Sequence, residues 1–380
     1  MITIQEVNLK NKRELRKFVR FPHKIYRNVT QYVPSLDNDE MAMFIEEKNG
    51  ALEWCATRCW MAYIDNEEVG RVGAIFNRKY NEKVNKIQMR ITRFDFIDNK
   101  EVSKRLIDEV LKWARELNCT EIIGPIGFSD LDKEGMLIEG FDRDSLNFCI
   151  YNHPYYVAHM NELGFEKLND WVEYRIKLPE AIDPRLEKIA ERSKEKFGYR
   201  VKYFKNKKEV IPYLRKGFKI MNQVYSHLLG YTELSERQMD EFVSNFGVVL
   251  NSEFLFAIED KNDNLIGYGF FAPNVNKGMR KCMGRFTIPG IIRLMKDLLI
   301  IKEKHPNDTV DLYSIGVLPE YQSMGVNAVV MVEGFKACIK RKIKYAETGP
   351  ELEYNHQIQS QWKDYEKEQH KKRRCWIKMI

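Results

Sequence analysis

The chain repeats itself. Lys10-Asn11-Lys12-Arg13-Glu14-Leu15 returns 195 residues later as Lys205-Asn206-Lys207-Lys208-Glu209-Val210. The run Trp60 to Ile64, a turn at Asp65-Asn66 and the run Val69 to Gly73 read as a hairpin. Its echo is Phe254 to Ile258, a turn around Asn262 to Asn264, and Ile266 to Gly269, with Gly70 and Gly267 197 residues apart. Gly124-Pro125 matches Gly349-Pro350 at an offset of 225, Tyr151-Asn152-His153 matches Tyr354-Asn355-His356 at 203, and Ile176-Lys177-Leu178 matches Ile377-Lys378-Met379 at 201. Five matches in the same order point to one unit used twice, which constrains the fold more than any single motif.

The changing offset locates two insertions. The second half carries about 28 extra residues, supplied by the basic and apolar stretch from Gly278 to Pro306. The first half carries about 22 of its own between Ile126 and Ile150. Leu178-Pro179-Glu180-Ala181-Ile182-Asp183-Pro184 reads as the linker, because its two prolines block a continuous helix. The expected domains are therefore 1–178 and 185–380. Each half reads strand, helices, hairpin, strand, helix, strand, helix, strand, which predicts an α/β fold with a mixed sheet.

The second half contains a distinctive strand, loop, helix and strand between Leu312 and Pro350. Leu312 to Val317 is an apolar run that must stop at Leu318-Pro319. Glu320 to Asn327 is the loop, and Ala328 to Lys340 has helical spacing of Val329, Val330, Phe335 and Ile339. A loop that enters a helix leaves backbone N–H groups unpaired at an electropositive end, where a pyrophosphate can sit. Val317, Leu318, Gln322, Ser323, Met324, Gly325, Val326 and Asn327 are the candidate cofactor-binding residues. Gly325 matters because a side chain there would hold the phosphate off the backbone. This layout resembles the acyl-CoA-binding motif of the GCN5-related N-acetyltransferase (GNAT) superfamily, Gln/Arg-x-x-Gly-x-Gly/Ala. Gln322, Gly325 and Val317-x-Pro319 match it, and Asn327 departs from it at the last small position. The resemblance implies two tandem GNAT-like domains. The first half has Asp98-Asn99-Lys100-Glu101 where the loop should be, with no glycine and with carboxylates that repel phosphate. It reads as a degenerate copy that shapes the acceptor pocket.

A closer resemblance spans nearly the whole chain. Phe21 to Tyr26, Gln31 to Leu36, Gly124 to Asp130, Glu134 to Phe141 and Tyr151 to Tyr156 resemble the YghO-like tandem acyltransferases, the group that includes bacterial ceramide synthase-like proteins. That resemblance implies N-acyl transfer from acetyl-CoA or a longer acyl-CoA to an amine, which includes lipid amines. Two other readings compete with it: a non-catalytic CoA-binding or sensor protein, and an aminoacyl-tRNA-dependent transferase. The net charge of +7 over 380 residues fits an anionic cofactor or a membrane surface and is no nucleic-acid signature. Seven scattered cysteines and no His/Cys set with zinc spacing predict a reduced, cytoplasmic, metal-free protein. No apolar run approaches the length of a membrane span, so any membrane contact is expected to be peripheral, at the inner surface.

Acyl transfer to an amine needs a proton acceptor, an oxyanion donor and a group that protonates the leaving thiolate. Glu347 is the candidate base, and a backbone N–H near Val317 or Leu318 the oxyanion donor. The competing reading of Glu347 is a strand-end carboxylate paired with Lys344 or Lys342. Tyr354 and Tyr365 are candidate acids; the tyrosine usual in the superfamily would fall at Trp362-Lys363. Asp130, Asp132, Glu134 and Glu139 in the first insertion are candidates for holding a cationic amine. Asn152, His153 and Asn355, in the repeated Tyr-Asn-His, are further acceptor-site candidates. In the second insertion, Ile288, Ile291, Ile292, Met295, Leu298 and Leu299 share one helical face. Arg280, Lys281, Arg285, Arg293, Lys296, Lys302 and Lys304 surround it. The expected arrangement buries that face on its own domain, and the alternative is an interfacial helix. The tail His370 to Arg374 leads into a strand expected at the sheet edge.

Overall fold

The computed structural model describes residues 1–245, 251–299 and 307–380. Lys302, Lys304 and Pro306 lie outside the described residues. The first half runs β1 (Ile2–Glu6), α1 (Lys12–Ile25), α2 (Asp37–Ala42), β2 (Cys55–Ile64), β3 (Glu67–Asn77), α3 (Arg78–Val84), β4 (Gln88–Phe96) and α4 (Lys100–Glu116). It ends with β5 (Glu121–Gly124), β6 (Met136–Glu139), α5 (Tyr155–Glu162) and β7 (Glu166–Lys177). The second half runs α6 (Pro184–Phe197), β8 (Arg200–Tyr203), α7 (Lys207–Val224), α8 (Glu236–Asn245), β9 (Leu255–Glu259), β10 (Leu265–Pro273), α9 (Asn276–Cys282) and α10 (Ile288–Leu299). Then come β11 (Thr309–Val317), α11 (Val326–Lys340), β12 (Tyr345–Thr348), β13 (Glu351–Leu352), α12 (His356–Gln359) and β14 (Lys367–Met379).

The repeated Lys-Asn strings do the same local work. Asn11 caps α1 by accepting from Arg13 N–H at 3.0 Å, and Asn206 caps α7 by accepting from Lys208 N–H at 3.0 Å. Glu14 and Glu209 reach back to backbone N–H groups ahead of the caps, at Asn8 and Lys205. Each helix start thus satisfies its own orphan donors.

The sheet follows the order β1-β2-β3-β4-β5-β14-β7-β12-β11-β10-β9-β8. The two halves exchange their last strands. β14 pairs with β5 of the first half (Trp376 with Gly124, Met379 with Glu121), and β7 pairs with β12 of the second (Tyr345 with Lys177, Glu347 with Arg175). β7 and β14 pair with each other from Lys367–Ile176 to Ile377–Glu166. The sheet is thus continuous across Leu178, and each half is completed by the other.

This corrects the expectation of an edge strand at the tail, because β14 is central. Its basic residues are matched by β7. Lys371 Nζ lies 2.9 Å from Glu173, both fully buried; Arg373 also pairs with Glu173, and Arg374 donates to both oxygens of Asp170 at 2.7 and 3.0 Å. Apolar cores fill both sides of the exchange. One gathers Trp60, Ile91, Phe96, Leu106 and Trp376, the other Ile176, Phe256, Val329, Phe335 and Ala346. Each core thus contains a residue lent by the other half, Trp376 or Ile176.

Candidate functional site

β11 and β12 pair in parallel only from Thr309–Tyr345 to Leu312–Thr348. Beyond that, Gly349-Pro350 turns the chain away, and β11 continues to Val317 along β10. The two parallel strands therefore splay apart. Backbone N–H groups alternate sides along a strand. Leu318 N–H is taken by Ile266 O at 2.9 Å, so Val317 N–H faces the open side of the splay. Two further bonds agree with this: Ile315 O accepts from the Tyr225 hydroxyl at 3.1 Å and Val317 O from Gln322 Nε2 at 3.3 Å. Of Val317 and Leu318, only Val317 has an N–H to offer an oxyanion.

The loop after β11 makes a short turn at Pro319–Tyr321 and reaches α11 with Ser323 at φ 63° and Gly325 at φ 82°. Gly325 occupies the cap position, and no side chain caps α11. The first N–H groups of α11, at Val326, Asn327 and Ala328, are left for an anion. A Cβ on Gly325 would come within 1.9 Å of Ser193 Oγ on α6, so the cradle tolerates only glycine.

The first half has the same frame with both features closed. Asn99 Oδ1 accepts from Glu101 N–H at 3.0 Å and Val102 N–H at 3.3 Å, which fills the start of α4. Phe96 stands where Val317 stands, since Ile97 N–H goes to Val69 O as Leu318 N–H goes to Ile266 O. Phe96 N–H is taken by the Tyr156 hydroxyl at 2.8 Å. The splay of β4 and β5 retains a cavity of only about 60 Å³ among Arg71, Asp95, Tyr26 and Tyr156. Tyr156 corresponds to Gln359 in the repeat, and Gln359 Nε2 turns instead to Leu352 O and Glu353 O at 2.9 and 3.2 Å.

A cavity of about 850 Å³ opens in front of the second splay. Gln322, Ser323 and Asn327 border it at the loop, and Asp130 and Glu134 border it from the first-half insertion. Between them the wall is apolar, with Phe218 and Met221 from α7 and Leu255, Leu265 and Phe270 from β9 and β10. Asp130 and Glu134 are a hydrogen-bonded carboxyl pair. Burial pushes Asp130 up to about 6 against the opposing bond from Glu134 and the charge of Arg90. Burial, then the Asp130 charge, pushes Glu134 further up. Glu134 Oε2 is enclosed and, Asp130 apart, has no hydrogen-bond partner among the described residues. A buried carboxyl pair without other partners suits a cationic or hydrogen-bond-donating group such as an amine.

The other candidates fall elsewhere. Glu347 is buried, with Oε1 3.1 Å from Arg175 and Oε2 3.6 Å from Lys371, in place of Lys344 or Lys342. Burial raises its pKa and Lys371 and Arg175 oppose the rise. Its register neighbour Asp311 is pushed up to about 8, mainly by burial. The cavity wall takes up Thr348 and the residues that follow, which leaves Glu347 on the opposite face of the strand. Tyr354 is 59% exposed, and Tyr365 packs on Phe335 with ring centroids 5.3 Å apart. Asn152 clamps β6, accepting from Leu137 N–H at 2.7 Å and donating to Leu137 O at 3.0 Å. His153 stacks on Tyr155 at 5.2 Å, and burial lowers its pKa. Asn355 caps α12 and borders the cavity. Asp132 borders it too, with its oxygens given to Arg93 at 2.6 and 2.9 Å. Glu139 is exposed on β6.

Sequence reasoning missed Tyr225, Tyr268 and Ser314. The Ser314 hydroxyl lies 3.1 Å from that of Tyr225 and 2.9 Å from that of Tyr268, and all three border the cavity at the splay. Tyr225 is also an electrostatic neighbour of Asp130, which links the splay to the carboxyl pair. Tyr225 lies outside the repeated strings, and Tyr268 and Ser314 lie in runs that read only as strands, so nothing in the sequence set their side chains apart. No cluster of His, Cys, Asp or Glu among the described residues could hold a metal ion.

The chain has the tandem GNAT fold. It superposes on a tandem GNAT protein from the clavulanic acid biosynthesis pathway with a TM-score of 0.56, covering 100% of this chain and 98% of that one, at 9% identity. In sequence it is 23% identical to Protein YghO of Escherichia coli (strain K12) over 97% of this chain and 94% of that protein. It is 20% identical to the bacterial ceramide synthase of Caulobacter vibrioides (strain NA1000 / CB15N), over 76% of this chain and 75% of that protein. No family model matches the chain.

Proposed function

We propose that this tandem GNAT-fold chain, similar along its length to YghO and over much of it to a bacterial ceramide synthase, is an acyl-CoA-dependent N-acyltransferase. One observation carries the reading. A single cavity joins an uncapped helix start and a free strand N–H in one half to a buried carboxyl pair in the other. In this reading the donor pyrophosphate rests on the N–H groups of Val326, Asn327 and Ala328, around Gln322 to Gly325. The thioester carbonyl lies against Val317 N–H, which stabilises the oxyanion as it forms. The acceptor ammonium gives a proton to the Asp130–Glu134 pair, and its nitrogen then attacks the carbonyl carbon. The C–S bond breaks, the thiolate takes a proton from the Tyr225 or Tyr268 hydroxyl, and the nitrogen, left with one proton more than an amide holds, gives it back to that tyrosine's oxygen. Burial holds both tyrosines protonated, as a donor requires. Glu347, tied to Arg175 and Lys371, holds the junction beside β12 in place, and Tyr354 and Tyr365 stand outside this sequence of steps.

The donor is acetyl-CoA or a longer acyl-CoA, and the acceptor a small-molecule or lipid amine. The apolar wall between loop and carboxyl pair favours a lipophilic group, as does the likeness to a ceramide synthase. The protein works in the cytoplasm with peripheral contact at the inner membrane surface; no helix among the described residues is long and apolar enough to cross a membrane. A non-catalytic CoA-binding protein would also keep the open helix start, but has no use for the carboxyl pair across the cavity. The test is release of free CoA from acetyl-, butyryl- and palmitoyl-CoA with a panel of amines. An enzyme releases CoA only when an acceptor is present; binding without acceptor-dependent release would leave a sensor.

A further inference from the structure

α10 is turned the wrong way round for an ordinary surface helix. Amphipathic helices bury apolar residues and expose charged ones. Here Arg293 and Asp297 are buried as an i,i+4 ion pair at 2.8 Å, while Ile288, Ile292 and Leu299 are 77%, 51% and 53% exposed. Ile291 and Met295 are exposed beside them, as is Phe286 in the preceding loop. The expectation that this face packs on its own domain is overturned, apart from Leu298, which packs inward.

The orientation is fixed from behind. Asp297 accepts from Gly278 N–H at 2.8 Å at the start of α9, and its own carbonyl accepts from Asn307 Nδ2 at 3.0 Å. Leu294 packs with Met279 and Cys282 of α9 and with Val33 and Leu36 of the first half. Gly284 O accepts from Asp37 N–H at 2.7 Å, and Arg280 pairs with Asp144 at 2.6 Å. Rolling the isoleucines inward would break the buried ion pair and its bonds to backbone. A buried pair that loses one partner is strongly destabilising, so the outward face is the stable one.

Cations lie beside this face. Lys296, one turn on from Ile292, and Lys281 form no ion pair among the described residues, and Arg285 is 63% exposed with one long contact to Asp37 at 3.4 Å. Arg280 and Arg293, expected in this collar, are spent on Asp144 and Asp297. Outward isoleucines and a phenylalanine with unpaired lysines beside them match the headgroup boundary of an anionic bilayer, where apolar groups enter and cations stay at the phosphates. We infer that α10 and the loop ahead of it dock the protein on an anionic lipid surface. This deepens the peripheral contact proposed above, and its test needs no turnover, so its failure would leave the acyltransferase reading standing.

Vesicle flotation without substrate provides the test, using phosphatidylcholine with and without phosphatidylglycerol. The parent should float with phosphatidylglycerol vesicles at low salt, and less as salt screens the lysines. Ile288→Asp with Ile292→Asp should stay at the bottom while keeping the parent's melting temperature, since both side chains are outside the core. Lys281→Glu with Lys296→Glu should weaken binding about thirtyfold or more. Three results would overturn the inference. The parent could fail to float on anionic vesicles at low salt. The isoleucine variant could bind as the parent does. Or sedimentation could show a dimer that Ile292→Asp splits, with no flotation, which would make the face a contact between two copies.

Discussion

Phe96 and Val317 occupy the same position in the two halves, but only Phe96 has its strand N–H closed, by the Tyr156 hydroxyl at 2.8 Å. The repeat thus has one open splay and one sealed from within. Tyr156→Phe leaves Phe96 N–H buried without a partner, which costs about 1–3 kcal/mol of stability. Chemical denaturation should show that loss, and calorimetry should show unchanged affinity for CoA. A drop in CoA affinity would place the donor site in the wrong half.

Gly325→Asp should weaken CoA binding by ~2 kcal/mol or more, because it fills the cradle against Ser193 and sets a negative charge where phosphate belongs. The residue's φ of 82° adds strain for any side chain. Calorimetry checks the effect, with a thermal melt to confirm that the variant folds.

At the exchange of the last strands, Glu173 balances both Lys371 and Arg373. Glu173→Ala should destabilise the chain by about 3–5 kcal/mol, because it leaves buried Arg373 without its carboxylate and Lys371 with only Glu347 at 3.6 Å. Replacing Glu173, Lys371 and Arg373 together by Leu, Met and Met should cost far less. Comparing the two melts separates charge imbalance from lost packing.

Some of this was legible in the chain and some was not. Gly325 and Gln322 announce the loop because a tight strand-to-helix turn depends on residue type. The repeated Asn11 and Asn206 announce helix starts for the same reason. Strand exchange was hidden because periodicity marks a strand without naming its neighbour. The basic residues of β14 therefore read as a solvated approach, although Asp170 and Glu173 wait for them on β7. The face of α10 was visible as a pattern, but not which side met the protein. The i,i+4 spacing of Arg293 and Asp297 was the one hint that the charged side could bury. Tyr225 reaches Ser314 at the splay only through tertiary packing of α7 on β11.

The carboxyl pair should give the reaction an acid limb. Asp130 stays protonated up to about 6, so its proton-accepting form is gained as pH rises through that value. kcat/KM for the amine should rise with pH near 6 and level off above, and Asp130→Asn should remove the limb. Stability has the opposite sign: this group's contribution is full below its ordinary 3.8 and is lost as pH rises to about 6.

The claim that the first half supplies the acceptor end of a site whose donor end lies in the second is tested most directly by steady-state thiol release with Glu134→Gln. Glu139→Gln, on the exposed strand outside the cavity, is the control. The account predicts a higher KM for the amine in Glu134→Gln, unchanged CoA affinity by calorimetry, and parental kinetics in Glu139→Gln. Loss of CoA affinity in Glu134→Gln, or an unchanged KM for the amine, would contradict it.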